Sequence, residues 1–147
     1  MTETAAIELA GAALSLAREA GAESAEAAVS IARRFHAEAR ENVVARLEGS
    51  TGKSLFLRVF RGGRKATLST SDFSSGLTDA IARAVAHADL VAPDEYAGLP
   101  EDVGGEEADL ELTDSRLARR ESAEKVEEAL QLERLIRAAD ARVTNSS

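Results

Sequence analysis

The chain has 147 residues, with 18 basic against 26 acidic side chains, a net charge of −8 and 44% apolar residues. That length is enough for one domain with its own core, and the acidic balance repels nucleic-acid phosphates and anionic membranes. The absence of cysteine excludes disulfides, thiolate metal sites and a cysteine nucleophile, and His36 and His87, far apart in sequence, supply a histidine metal site poorly.

The opening Met-Thr-Glu-Thr lacks the basic start of a secretory signal, and no apolar run approaches the roughly 18 residues of a membrane span. A soluble, cytoplasmic chain is expected. From Thr4 to Ala20, the residues Ile7, Leu9, Ala10, Ala13, Leu14 and Ala17 recur on one broad face before Gly21. That periodicity predicts an amphipathic helix with a glycine stop.

Residues 24–48 admit two readings. Their alanines, glutamates and arginines favour helix, with Ala25, Ala28, Val29, Ala32, Phe35 and Ala39 on one face. Yet Ala27, Val29, Ile31 and Arg33, and then Val43, Ala45 and Leu47, also alternate at period two, as half-buried strands do.

The next stretch, LEGSTGKSL from Leu47 to Leu55, contains the Gly52-Lys53-Ser54 ending of a nucleotide-binding phosphate loop. Such a loop needs a glycine where Leu47 stands, because the backbone must curl its N–H groups around a phosphate, and it must enter a helix. Here a strand-like run, LFLRVF, follows instead. Gly49-Ser50-Thr51-Gly52 is therefore read as a turn between strands, with Lys53 and Ser54 solvated at its rim.

Ser54 to Arg61 is apolar on both faces, with Leu55, Leu57 and Val59 opposite Phe56 and Phe60, which suits a central strand. Gly62-Gly63 offers the two positive-φ positions of a tight hairpin turn before RKATLST resumes as its partner. Arg61, Arg64 and Lys65 could grip an anion at this tip, although a solvated hairpin tip is the favoured reading. Ser71-Asp72-Phe73-Ser74-Ser75 reads as the capped start of a helix reaching about Val91 through Leu77, Ile81, Ala84, Val85 and Ala88. These serines lack a nearby histidine or a nucleophile elbow to activate them.

Pro93 to Glu107 holds both prolines, three glycines and many acids, and reads as a surface connector. Its acids lack the spacing of a calcium loop. A third helix is expected from Ser122, as N-cap, to Asp140, burying Val126, Ala129, Leu130, Leu132, Ile136 and Ala139. Arg142 to Ser147 looks like the entry to a further strand.

The phrases GAESAEAAVS, LFLRVFRGGRKATLSTSDFS, DEYAGLP and DARVTNSS, in this order, resemble the N-terminal domain of the TldD/PmbA (TldE) metallopeptidase family, once described as modulators of DNA gyrase. The likeness runs over nearly the whole chain and leans to the PmbA side through Tyr96-Ala97-Gly98-Leu99-Pro100. It implies strands at Ala27–His36 and Asn42–Glu48, and makes LEGSTGKSL the join between two of them. The expected fold is α+β: an antiparallel or mixed sheet of about four to five strands packed with three helices. Residues 1–147 would form one domain, with a linker-like segment at 93–120 and a helix and the start of a strand at 121–147.

The resemblance also implies zinc in a C-terminal domain of TldD-type subunits, outside these residues, on a His-Glu-x-x-x-His motif. It implies a TldD/PmbA-type partner subunit, in a homo- or heterodimer, and proteolysis of small or unfolded peptides. Neither His36 nor His87 begins such a motif, so no catalytic, cofactor-binding or metal-binding residue carries over, and the segment is expected to be inactive alone. The strand from Leu55 to Arg61, or a neighbouring sheet edge, is a candidate to present backbone groups to an extended peptide. The rival reading is a standalone protein- or peptide-binding module. A nucleic-acid regulator is opposed by the net charge and by an aromatic content of only 3%.

Overall fold

The computed structural model describes residues 1–101 and 110–143. Helix α1 (Glu3–Glu19) leads into strands β1 (Ser24–Arg40), β2 (Val43–Arg61) and β3 (Arg64–Thr70), followed by helices α2 (Gly76–Ala88), α3 (Ser115–Arg119) and α4 (Ser122–Ala139). The strands form one sheet in the order β1-β2-β3. The fold is thus α+β with an antiparallel sheet, of three strands among the described residues where four to five were expected.

The difference in number lies in LEGSTGKSL. No turn interrupts it: β2 runs unbroken from Val43 to Arg61. Neither Gly49 nor Gly52 has the positive φ that a tight turn would demand, and a Cβ at either would meet nothing within 4 Å. With Ser50 and Thr51 compatible with extended backbone, the two glycines lengthen a strand instead of bending it. The strand reading of residues 24–48 holds, and β1 extends further than expected, to Arg40.

The chain divides into two compact units: Met1–Ala32 with Gly52–Gly104, and Arg33–Thr51 with Gly105–Ser147. In the first, Thr2 caps α1 by accepting the Ala5 N–H, and Gly21 follows the helix at φ 97°. Ala13 and Ala17, one turn apart, are fully buried, and their small side chains bring the α1 backbone close to its neighbours. Ile7, expected on this face, is two-thirds exposed. The core joins these alanines to Leu55, Leu57 and Val59 of β2, Ala66 of β3, and Leu77, Ile81, Val85 and Ala88 of α2. Full burial of each larger aliphatic side chain contributes about 1.5–3 kcal/mol.

The turn between β2 and β3 is Gly62-Gly63, at φ 56° and 64°, as the sequence predicts. It sets an antiparallel register that runs from Arg61 opposite Arg64 to Leu55 opposite Thr70. Helix α2 begins later and ends earlier than expected, and Ser75 at its N-cap makes no side-chain bond. The start is held instead by Asp72, whose carboxylate accepts the Ser74 N–H at 2.9 Å.

In the second unit the chain turns from β1 to β2 through Glu41 and Asn42, both at positive φ (55° and 61°). Asparagine adopts this conformation readily, whereas glutamate there is strained. The Glu133 carboxylate of α4 stabilises the turn: Oε1 accepts the Glu41 N–H at 2.6 Å and Oε2 the Asn42 N–H at 2.7 Å. Glu133 is only 4% exposed, and Arg137 Nη1 lies 3.6 Å from its Oε1. This reverses part of the expected face of α4: a glutamate is buried, while Leu132 and Ile136 are exposed. Ser122 is the first helical residue rather than the N-cap, which is Glu121. Helix α3 lies within the segment expected to be a linker, and the entry to a further strand falls mostly on 144–147, outside the described residues.

Three outcomes are expected. Glu133→Ala strips both turn amides of a charged acceptor and lowers unfolding stability by about 3 kcal/mol in urea titration. Glu41→Gly removes the positive-φ strain and raises stability by about 1 kcal/mol. Gly52→Thr, in an open strand position, raises it by about 0.5–1 kcal/mol, whereas a phosphate loop would not tolerate the change.

Candidate functional site

The sheet in the first unit has two unlike faces. Leu55, Leu57 and Val59 point to the helices, and the alternate residues Phe56, Arg58 and Phe60 point away from them. Opposite these on β3 stand Ser69, Thr67 and Lys65. Phe60 is nevertheless 5% exposed, so this second face is partly sheltered too.

Part of the shelter comes from the segment after α2, which the β2–β3 hairpin tip fastens. Arg61 pairs with Asp89 at 3.3 Å, and Arg64 Nε donates to the Val91 carbonyl at 2.9 Å. The Asp94 N–H donates to the Gly63 carbonyl at 2.7 Å, and its carboxylate lies 3.5 Å from Lys65 Nζ. The three tip cations therefore do not converge on an anion, nor are they simply solvated. Each holds a point on the returning chain.

Asp94 also shapes the chain beyond itself. Its Oδ1 accepts the Tyr96 N–H at 3.0 Å and its carbonyl accepts the Ala97 N–H at 2.9 Å, an aspartate-initiated turn. The turn holds Tyr96 out at 85% exposure. Between it and the sheet lies a groove of about 530 Å³ lined by Arg58, Phe60, Lys65, Ala66, Thr67, Tyr96, Ala97 and Gly98. That volume is within the usual range for ligand sites, roughly 300–1,000 Å³. Both cations in the lining are already paired, Lys65 with Asp94 and Arg58 with Glu26 at 2.6 Å, and Arg58 also lies over the Phe56 ring at 5.6 Å.

Leu55–Arg61 is not an edge available to a ligand, because β2 is hydrogen-bonded to β1 on one side and β3 on the other. The edge beside the groove belongs to β3. Gly52, Lys53 and Ser54 lie in strand β2, with no helix following to complete a phosphate cradle. His36 lines an open hollow of the second unit with Arg34, Arg46 and Glu48, while His87 sits exposed on α2 in the first. Among the described residues, no three His, Cys, Asp or Glu side chains gather as metal ligands.

A larger hollow of the second unit, about 800 Å³, runs past Arg33, Arg34 and Phe35 to Leu117 and Lys125. Its cations are partly engaged: Lys125 lies 5.6 Å from the Phe35 ring centroid. The sequence reading missed the roles of Asp94, Tyr96 and Glu133. For the first two the signal was present, since an aspartate two residues before an exposed tyrosine, after a proline, is a turn pattern.

The Asp72 carboxyl is held below the ordinary aspartate range, first by the Ser74 hydroxyl and then by the Ser74 N–H. Arg116 likewise lowers Asp114, and Arg142 lowers Asp140. All three are exposed connections in turns.

Comparison with known proteins agrees with this architecture. Residues 25–88 match the family model for domain 1 of the PmbA/TldA metallopeptidases. A candidate modulator of DNA gyrase from Bacteroides thetaiotaomicron is 25% identical, with a TM-score of 0.73 over 82% of this chain and 28% of its own. TldE from Thermococcus kodakarensis shares the fold, with 20% identity and a TM-score of 0.74 over 90% of this chain and 30% of its own. The chain thus spans less than a third of either solved chain. No curated protein matches it. Among the described residues no helix is long and apolar enough to cross a membrane.

Two outcomes test the local chemistry. Asp94→Ala frees the turn, and the fluorescence anisotropy of Tyr96, the single tyrosine in a chain without tryptophan, falls. Because the Asp72 pKa is depressed on folding, its stabilisation is present above about pH 3.9 and lost as pH falls through the folded value. Asp72→Ala therefore lowers Tm at pH 7, and its effect shrinks as the pH falls below the ordinary aspartate range. Residues 25–88, fewer than half of the chain, are similar to domain 1 of the PmbA/TldA metallopeptidases.

Proposed function

We propose that this chain is the non-catalytic N-terminal domain of a PmbA/TldD-like zinc metallopeptidase subunit, and that its two units work together in assembly and in the access of small or unfolded peptides. The zinc and the hydrolytic residues would belong to a C-terminal domain of a TldD-type subunit, and the partner would be a second subunit of this family. The part proposed for this segment is binding and placement.

The observation that carries the assembly role is the outer face of α4. Leu132, Leu135 and Ile136 lie there 57%, 61% and 41% exposed, on a stripe that flanks the face holding the Glu133 clasp. Three large aliphatic side chains within five residues suit a surface that another protein body covers. A standalone module would be expected to carry a polar surface there, so this favours the subunit reading.

Mixing the chain with a zinc-bearing C-terminal domain of the family tests this. Association is expected, and the double change Leu132→Ser and Leu135→Ser should weaken it at least about tenfold while circular dichroism stays unchanged. Equal association by the variant would refute this role for α4. Hydrolysis of an unstructured peptide by the isolated chain with added zinc would refute the non-catalytic reading.

A further inference from the structure

We infer that the larger hollow of the second unit is a binding site for a small organic phosphate, a phosphate monoester carried on an apolar body. It holds about 800 Å³, inside the usual range of roughly 300–1,000 Å³ for ligand sites. Every residue that lines it belongs to the second unit, so that unit builds it alone.

The sign of the lining carries the argument. Arg33, Arg34 and Lys125 reach the hollow, and among the described residues no aspartate or glutamate lines it. In a chain with 26 acidic against 18 basic side chains, a carboxylate is seldom far from a cation. Elsewhere in this unit Arg46 pairs with Glu48 at 2.6 Å and Arg116 with Asp114 at 3.2 Å. Glu124, beside Lys125 in sequence, and Glu128 both go to Arg120, at 3.7 Å and 2.7 Å. Among the described residues Arg33 and Arg34 make no ion pair, and Lys125 lies over the Phe35 ring instead of a carboxylate. A cation–π contact leaves the ammonium charge uncancelled.

Arg33 and Phe35 share one face of β1, while Arg34 stands on the other and also lines the smaller hollow with His36. Arg34 thus borders the site, and Arg33 and Lys125 are its principal cations. The net charge of −8 does not oppose them, because charges beyond about 8 Å are largely screened at physiological ionic strength.

The other lining groups select among anions. Ser50, Thr51 and Ser122 bring three hydroxyls. Guanidinium forks, an ammonium and hydroxyl donors match the three terminal oxygens and the near-double charge of a phosphate monoester. A carboxylate, with two oxygens and one charge, would leave most of these donors unmatched. Phe35, Leu117 and Ala118 line the same hollow with carbon, which fits an apolar body on the ester oxygen.

Isothermal titration of the full chain with phenyl phosphate tests the site. Saturable binding with a Kd below about 1 mM is expected, and it should weaken as salt rises. Phenylacetate, which keeps the ring but carries one charge, should bind at least about tenfold more weakly. Inorganic phosphate, which lacks the ring, should bind at least about threefold more weakly. The double change Arg33→Gln and Lys125→Gln should weaken phenyl phosphate at least about tenfold. Arg18→Gln with Arg83→Gln removes the same charge from exposed positions of the first unit and should leave binding unchanged.

No saturable binding of phenyl phosphate up to about 10 mM would overturn the inference. Equal weakening by the two double variants would also overturn it, as would phenylacetate or a hexaglutamate peptide binding as tightly as phenyl phosphate. Capture by phosphatidic-acid vesicles without affinity for phenyl phosphate would assign the phosphate to a lipid and overturn it too. The ligand series needs no variant, so the test survives if the double change fails to fold. Leu132, Leu135 and Ile136 take no part in this readout, so its failure is distinguishable from failure of the proposed subunit role.

Discussion

The first unit depends on one tight turn. Gly62 and Gly63 both occupy the left-handed region, and this closes the β2–β3 hairpin in a single register. A slip of one residue would move Leu57 and Val59 from the helix-packed face to the other and bring Arg58 and Phe60 into the core. The same turn places the Gly63 carbonyl where the Asp94 N–H reaches it, and brings Arg61, Arg64 and Lys65 to Asp89, Val91 and Asp94. Core, tethered return segment and groove all follow from that closure.

The second unit solves a comparable problem without glycine. Glu41 and Asn42 take up the positive φ angles, and a buried carboxylate on α4 accepts both of their N–H groups. A charge kept from water is unfavourable unless its bonds are complete, so Glu133 commits α4 to this one position on the turn. The outer face of α4 is then left with its aliphatic residues exposed. Each unit thus fixes a reverse turn, the first with a glycine pair and the second with a buried carboxylate.

Much of this was legible in the sequence. The period-two apolar pattern of Leu55 to Arg61, the Gly62-Gly63 turn and the three longer helices could be read because local pattern and tertiary role agree there. Residues 24–48 could not be read locally, because their helical composition and strand alternation conflict; strand pairing in the folded chain prevails over propensity. Gly49 and Gly52 misled for a different reason: glycine permits a turn but does not require one, and nothing nearby forces it. Glu133 was invisible because its value depends on two amides more than 90 residues away in sequence. The phrase DEYAGLP carried the family resemblance, yet its physical work, with Asp94 anchoring and Tyr96 displayed, needed the fold to be seen.

The most direct measurement is residue-resolved amide hydrogen exchange of the full chain. The account predicts that Ala66 and Leu68, which bond to Val59 and Leu57, are protected while Lys65, Thr67 and Ser69 exchange quickly. Protection of Lys65, Thr67 and Ser69 with fast exchange of Ala66 and Leu68 would contradict the register set by Gly62-Gly63.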